Sequence, residues 1–118
     1  MSYPFNPGDD LIFQLESGFG LLRLLAVEGE GAGTVWHLLA YDEFFPDVES
    51  AESALAQPVS LPVRKPHMAL TNRAFERTPV ARLGNRALSE NELDAYRDWL
   101  NSDRNVSDRS ALLMLGIR

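Results

Sequence analysis

The chain contains no cysteine, one lysine, two histidines and no long hydrophobic run. The missing cysteine removes disulfides, thiolate metal ligands and cysteine nucleophiles together. A transmembrane helix needs about 20 consecutive apolar residues, and the apolar runs here are only a handful of residues long. The opening segment, Met1 to Asp10, has neither the positive region nor the apolar stretch of a secretory signal. A cytoplasmic location is therefore the expectation. The two histidines, His37 and His67, lack an H-x-x-x-H or similar metal spacing, and no D-x-D-x-D-G loop holds the acids. Phosphate-binding and nucleophile-elbow motifs are also missing. The sequence calls for no cofactor, no metal and no catalytic residue.

What is present suffices for one domain over residues 1–118, 45% hydrophobic and 24% charged. A chain of this length buries roughly two-thirds of its unfolded surface, enough for a core without covalent staples. The net charge of −6 disfavours generic nucleic-acid binding. That charge is divided unevenly. Residues 1–61 hold ten acids and one base, Arg23, whereas residues 62–118 hold ten bases and seven acids. Either the halves fold against each other and neutralise, or the asymmetry marks an interaction surface.

The periodicity predicts an α+β fold that begins with a three-stranded meander. Leu11, Phe13 and Leu15 share one face of a half-buried strand over Asp10–Glu16. Ser17-Gly18 is a turn signal. The run from Phe19 to Val27 is nearly all apolar and reads as a central strand, with Gly20 marking a bulge. Thr34 to Tyr41 is the third strand, ended by Phe44-Phe45-Pro46-Asp47. Tight turns between these strands point to a small curled antiparallel sheet or SH3-like barrel, not a βαβ unit. A short helix is predicted over Val48–Ala56. Pro58, Pro62 and Pro66 forbid a helix beyond it, and Val59-Ser60-Leu61 is at most an edge strand. His67–Phe75 and Pro79–Leu83 read as further strands. Ser89 and Glu92 form a capping box for a helix whose apolar stripe is Leu93, Tyr96 and Leu100 beside Trp99. Ser107 or Asp108 would cap a last helix that ends at Gly116.

Three groups of residues could carry function. Trp36, Tyr41, Phe44 and Phe45 fall within ten residues, flanked by Asp42, Glu43 and Asp47. In the core they only pack; exposed beside acids, they make a protein-binding face. His37 or His67 with two carboxylates in a cleft would suit a small-molecule-binding or enzymatic barrel. Arg64, Lys65, Arg73, Arg77, Arg82 and Arg86 form the basic cluster, and on one face they would suit a nucleic-acid-binding barrel.

The opening hairpin carries a resemblance. Pro7-Gly8-Asp9, Gly18, Phe19-Gly20 and Leu24 follow the order Pro-Gly-Asp, apolar strand, polar-Gly turn, Gly-Phe-Gly-like start, apolar strand. This resembles the N-terminal hairpin of Imm26-like immunity proteins from bacterial polymorphic-toxin systems, and the acidic segment from Tyr41 to Leu55 is also similar. The resemblance covers residues 6–55. The later region of Gly84, polar residues and a helix is similar more loosely; Asp10 departs from the pattern where that family has an apolar residue, and the C-terminal helical tail is not matched. It implies an SH3-like barrel that neutralises a toxin by covering its active surface, with no catalytic residues. An acidic domain without catalytic motifs also suits a basic protein partner on charge grounds. The reading adopted is a non-enzymatic protein-binding module using Trp36, Tyr41, Asp42, Glu43, Phe44, Phe45 and Asp47. Membrane association is not expected, nucleic acid is disfavoured, and two edge strands leave a homodimer open.

Overall fold

The computed structural model describes residues 5–57 and 61–116. Five strands, β1 (Asp9–Leu15), β2 (Gly18–Glu28), β3 (Val35–Phe45), β4 (Val63–Thr71) and β5 (Val80–Asn85), pair antiparallel in the order β4-β3-β2-β1-β5. The helices are α1 (Val48–Leu55), α2 (Asn72–Glu76), α3 (Glu90–Leu100) and α4 (Ala111–Leu115). This is the α+β architecture that the meander and the capping box predict. The sheet curls but does not close, so β4 and β5 are its two edges.

Both faces of the sheet are covered. On one, Leu11, Phe13, Leu22, Leu24, Trp36, Leu38, Met68 and Leu70 pack with Phe75 of α2 and with Ala111 and Leu115 of α4. On the other, Ile12, Leu21, Leu25, Leu39, Tyr41 and Phe45 pack with Ala51 of α1 and with Leu93 and Tyr96 of α3. β1 therefore departs from the half-buried strand that its alternation predicts. It lies between β2 and β5, and Ile12 is buried on the face opposite Leu11 and Phe13.

Several local expectations hold and others shift. Leu15 pairs with Gly18, so the two-residue turn is Glu16-Ser17, one position earlier than expected. The register slips between Gly20 and Leu22, which is the predicted bulge. Gly20 has a second cause: a Cβ there would strike the Phe13 ring. β3 runs on to Phe45 because the long β2 still offers it partners, Gly20 to Phe44 and Phe19 to Phe45. Pro46 then ends it, and the Asp47 carboxylate caps α1 by accepting from the Ser50 N–H at 2.7 Å.

The third quarter of the chain differs most. Val59 and Ser60 of the expected edge strand lie outside the described residues; Leu61 beside them is buried. β4 starts at Val63 and passes through Pro66, which an edge strand tolerates. It stops at Thr71, whose hydroxyl accepts from the Ala74 N–H and starts α2 where a strand was expected. Burial of Ala74 and Phe75, with the Phe75 ring 4.2 Å from that of Trp36, favours the helical turn. The capping box of α3 forms as predicted. α4 is capped by Ser110, not by Ser107 or Asp108. Those two are engaged elsewhere: the Ser107 backbone bridges to β4 beside Leu70, and the Asp108 carboxylate binds Thr71 and Arg73.

Packing around Gly20 leaves no space for a methyl group. Gly20→Ala should lower unfolding free energy in urea by about 1–3 kcal/mol, the cost of forcing a ring aside in a filled core. An unchanged midpoint would show that Phe13 moves freely.

Candidate functional site

The strongest electrostatic feature is buried. Arg23 lies in the middle of β2 and is fully covered. A guanidinium has five N–H donors and cannot shed its charge, so burial requires acceptors on every side. Glu92 of α3 takes Nε at 2.6 Å and Nη2 at 3.2 Å. The Gly8 carbonyl takes Nη1 at 2.5 Å, and the carbonyls of Arg86 and Ala87 take Nη2. Asp10, also buried, stands 3.5 Å from Nη1 and binds the Arg86 guanidinium in two places, at 2.6 and 2.7 Å. Arg86 also donates to the Tyr41 hydroxyl. Burial pushes the Glu92 carboxyl up. Its bonds to Arg23 and the Ser89 N–H, with the charges of Arg23 and Arg86, outweigh that and hold it below its ordinary value of 4.5.

The basic series does not form one platform. Arg64 donates to Asp42 and to the Leu115 carbonyl. Arg73 pairs with the Asp108 carboxylate, which lowers that carboxyl to about 2, and Arg77 binds the Asp108 carbonyl. Arg86 is held by Asp10, and Arg82 stands exposed on β5. Lys65 is half-buried on β4. Two ion pairs, Arg64–Asp42 and Arg86–Asp10, join acids of the first half to bases of the second, whereas Arg23–Glu92 joins the halves with the signs reversed. The charge asymmetry is thus partly neutralised by folding.

The aromatic group is divided between core and surface. Trp36, Tyr41 and Phe45 are buried, whereas Phe44 is 42% exposed. The cause is pleating at the end of a strand covered on both faces: Trp36 enters one core, Tyr41 and Phe45 the other. Burial raises the Tyr41 hydroxyl pKa, against the opposing pull of Arg86. Asp42, Glu43 and Asp47 are all exposed, with Asp42 paired to Arg64 and Asp47 capping α1. Val48, Glu49 and Glu52 extend this surface along the exposed residues of α1.

The histidines, 30 residues apart in sequence, meet. His37 Nδ1 lies 3.0 Å from His67 Nε2, and His37 Nε2 lies 2.5 Å from Glu28 Oε1. Tyr96 and Trp99 of α3 roof the pair, each with its ring 4.6 Å from that of His37. His37 is fully covered and His67 partly so. Desolvation is the largest cause that lowers both pKa values, His67 to about 4, where the neighbouring His37 and Lys65 charges add to it. Among the described residues one carboxylate, Glu28, joins them, not the pair that an acid–base cleft was expected to need. The neighbouring groove between α3 and β3–β4, about 410 Å³, is lined by Leu39, Val63, Pro66, Ala95 and Asp98 among others, without either histidine.

Sequence reasoning missed two groupings: Arg23 with Asp10 and Glu92, and Glu28 as the partner of His37. One signal was available. Arg23 is the lone base in an apolar strand read as covered on both faces, and such a charge must find carboxylates.

No family model, curated protein or solved structure matches the chain. Among the described residues, no three His, Asp or Glu side chains are placed to hold a metal ion, and no helix is long and apolar enough to cross a membrane.

Removing Arg23 would take from Glu92 its partner cation and from the Arg86 and Ala87 carbonyls the donors that Arg23 supplies. Arg23→Ala should cost about 3–5 kcal/mol in chemical unfolding, as when one partner of a buried ion pair is lost. The Glu92 contribution is present above its ordinary carboxylate value of 4.5 and is lost as pH falls through the lower, folded one. Glu92→Gln should therefore flatten the acid limb of the stability curve.

Proposed function

We propose that the protein is a non-enzymatic binding module that engages a basic protein partner through the acidic corner around Phe44. The observation that carries this reading is Phe44 itself: a large ring 42% exposed, flanked by the exposed carboxylates Asp42, Glu43 and Asp47. Exposed aromatic rings anchor interfaces, and surrounding charge raises encounter rates and sets orientation. Tyr41 and Phe45, buried near the end of β3, keep it rigid so that Phe44 meets its partner with little ordering cost, while Trp36 packs at the start of the strand.

The hairpin resemblance to Imm26-like immunity proteins supplies the kind of partner: a toxin domain with a basic active surface, neutralised by occlusion in the cytoplasm. The curled five-stranded sheet suits an SH3-like module of this sort. The internal pairing of Arg64, Arg73, Arg77 and Arg86 favours a protein partner over nucleic acid, because those guanidinium groups are engaged with this chain's own oxygens.

The test has two parts: whether a toxin domain is encoded beside this chain, and whether the chain binds that domain in surface plasmon resonance. Phe44→Ala should weaken binding by tenfold or more, about 1.4 kcal/mol. Glu43→Lys should slow association, with the difference from the parent shrinking as salt rises. No binding, or unaltered binding by both variants, would overturn the reading.

A further inference from the structure

We propose that the Glu28–His37–His67 chain is an acid-sensitive latch: it holds the C-terminal half of α3 on the sheet and releases it when the pair takes up a second proton. This is independent of any partner at Phe44. A carboxylate accepts at His37 Nε2, so that nitrogen carries hydrogen. The 3.0 Å contact between His37 Nδ1 and His67 Nε2 then has room for one hydrogen. Two neutral rings satisfy it, with His67 donating. A single added proton also fits, because a His37 imidazolium can donate to Glu28 and to His67 together. A second added proton puts hydrogens on both facing nitrogens, and the contact becomes a clash of two cations.

The surroundings make that second proton unwelcome. Glu28 of β2 is the one carboxylate bonded to the pair, and it is already engaged by His37. From β4, Lys65 opposes positive charge on His67. From α3, Tyr96 and Trp99 offer ring faces, which attract a cation by only about 0.5–2 kcal/mol. Arg104, just beyond α3, adds positive charge near Tyr96. In the unfolded chain both histidines would titrate near 6.5, whereas folding lowers both, His67 to about 4. The unfolded or released state therefore binds more protons between those values, and stability falls as pH falls through that window.

The fold confines what is released. The N-terminal end of α3 is fastened by Glu92 to Arg23, a bond that strengthens the folded state above the carboxylate range. The C-terminal end rests on the histidines through Tyr96 and Trp99. Trp99 in turn holds the following loop, donating Nε1–H to the Asn105 carbonyl at 2.8 Å. Acid thus loosens the end of α3 and the loop after it while the start stays docked.

The experiment uses the full chain labelled with 5-fluorotryptophan and followed by fluorine NMR, from about pH 7.5 to about pH 4. Trp36 lies in the opposite core, stacked on Phe75, and serves as the internal control. The Trp99 resonance should move to its solvent-exposed position before Trp36 changes. In His67→Gln, which keeps an amide donor for His37 but does not titrate, that movement should shift down by about one pH unit or vanish. If His67→Gln does not fold, the histidine ring protons of the parent give the answer: they should titrate together with Trp99. Simultaneous movement of both tryptophans, the same profile in His67→Gln, or a Trp99 change without histidine titration would overturn the proposal.

Discussion

The buried guanidinium of Arg23 is the constraint on which the remaining structure turns. A cation in the middle of a covered strand is tolerated only if every donor is answered. The answers come from three separate parts of the chain: Gly8 and Asp10 at the start of β1, the Arg86–Ala87 connection, and Glu92 on α3. One side chain therefore sets where the N-terminal segment enters, how β5 leaves the sheet and at what point α3 lands. Gly8 shows how tight this arrangement is. Its φ of 94° favours glycine, its carbonyl also accepts the Arg86 N–H, and a Cβ there would press on the Arg86 carbonyl.

Glu92 has two roles that share one carboxylate. It closes the capping box by accepting the Ser89 N–H, and it receives Arg23. Helix initiation and tertiary docking are thereby coupled, because the side chain that starts α3 is the one that fixes it to the sheet. Tyr96 and Trp99 then complete the docking over the histidines, one to two turns further on.

Much of the scaffold was legible because it depends on local rules. The alternation in β1, the apolar run of β2 and the Ser89–Glu92 spacing each need only neighbouring residues. The thresholds between elements were harder. At Thr71 a hydroxyl cap and the burial of Phe75 outweigh the strand pattern, and at Phe44 the partner strand's length decides where β3 stops. The candidate sites were less legible for a different reason. A sheet covered on both faces buries alternate residues in two different cores, so period-two patterning does not separate Phe44 from Phe45. Nor does spacing show that His37 and His67 meet, since adjacent strands β3 and β4 bring them together across a 30-residue separation.

The parallel bridge at Leu70 bears on how copies of the chain treat one another. Ser107 donates to the Ala69 carbonyl and accepts from the Thr71 N–H, occupying the outer ladder of β4 there. Further along the same strand Pro66 lacks an N–H altogether. An open sheet offers two sides for strand-to-strand growth. Here one side meets a blocked ladder and a proline, leaving the six-residue β5, which carries Arg82, as the approachable side. A sheet that can be extended from one margin only can pair, but it cannot propagate.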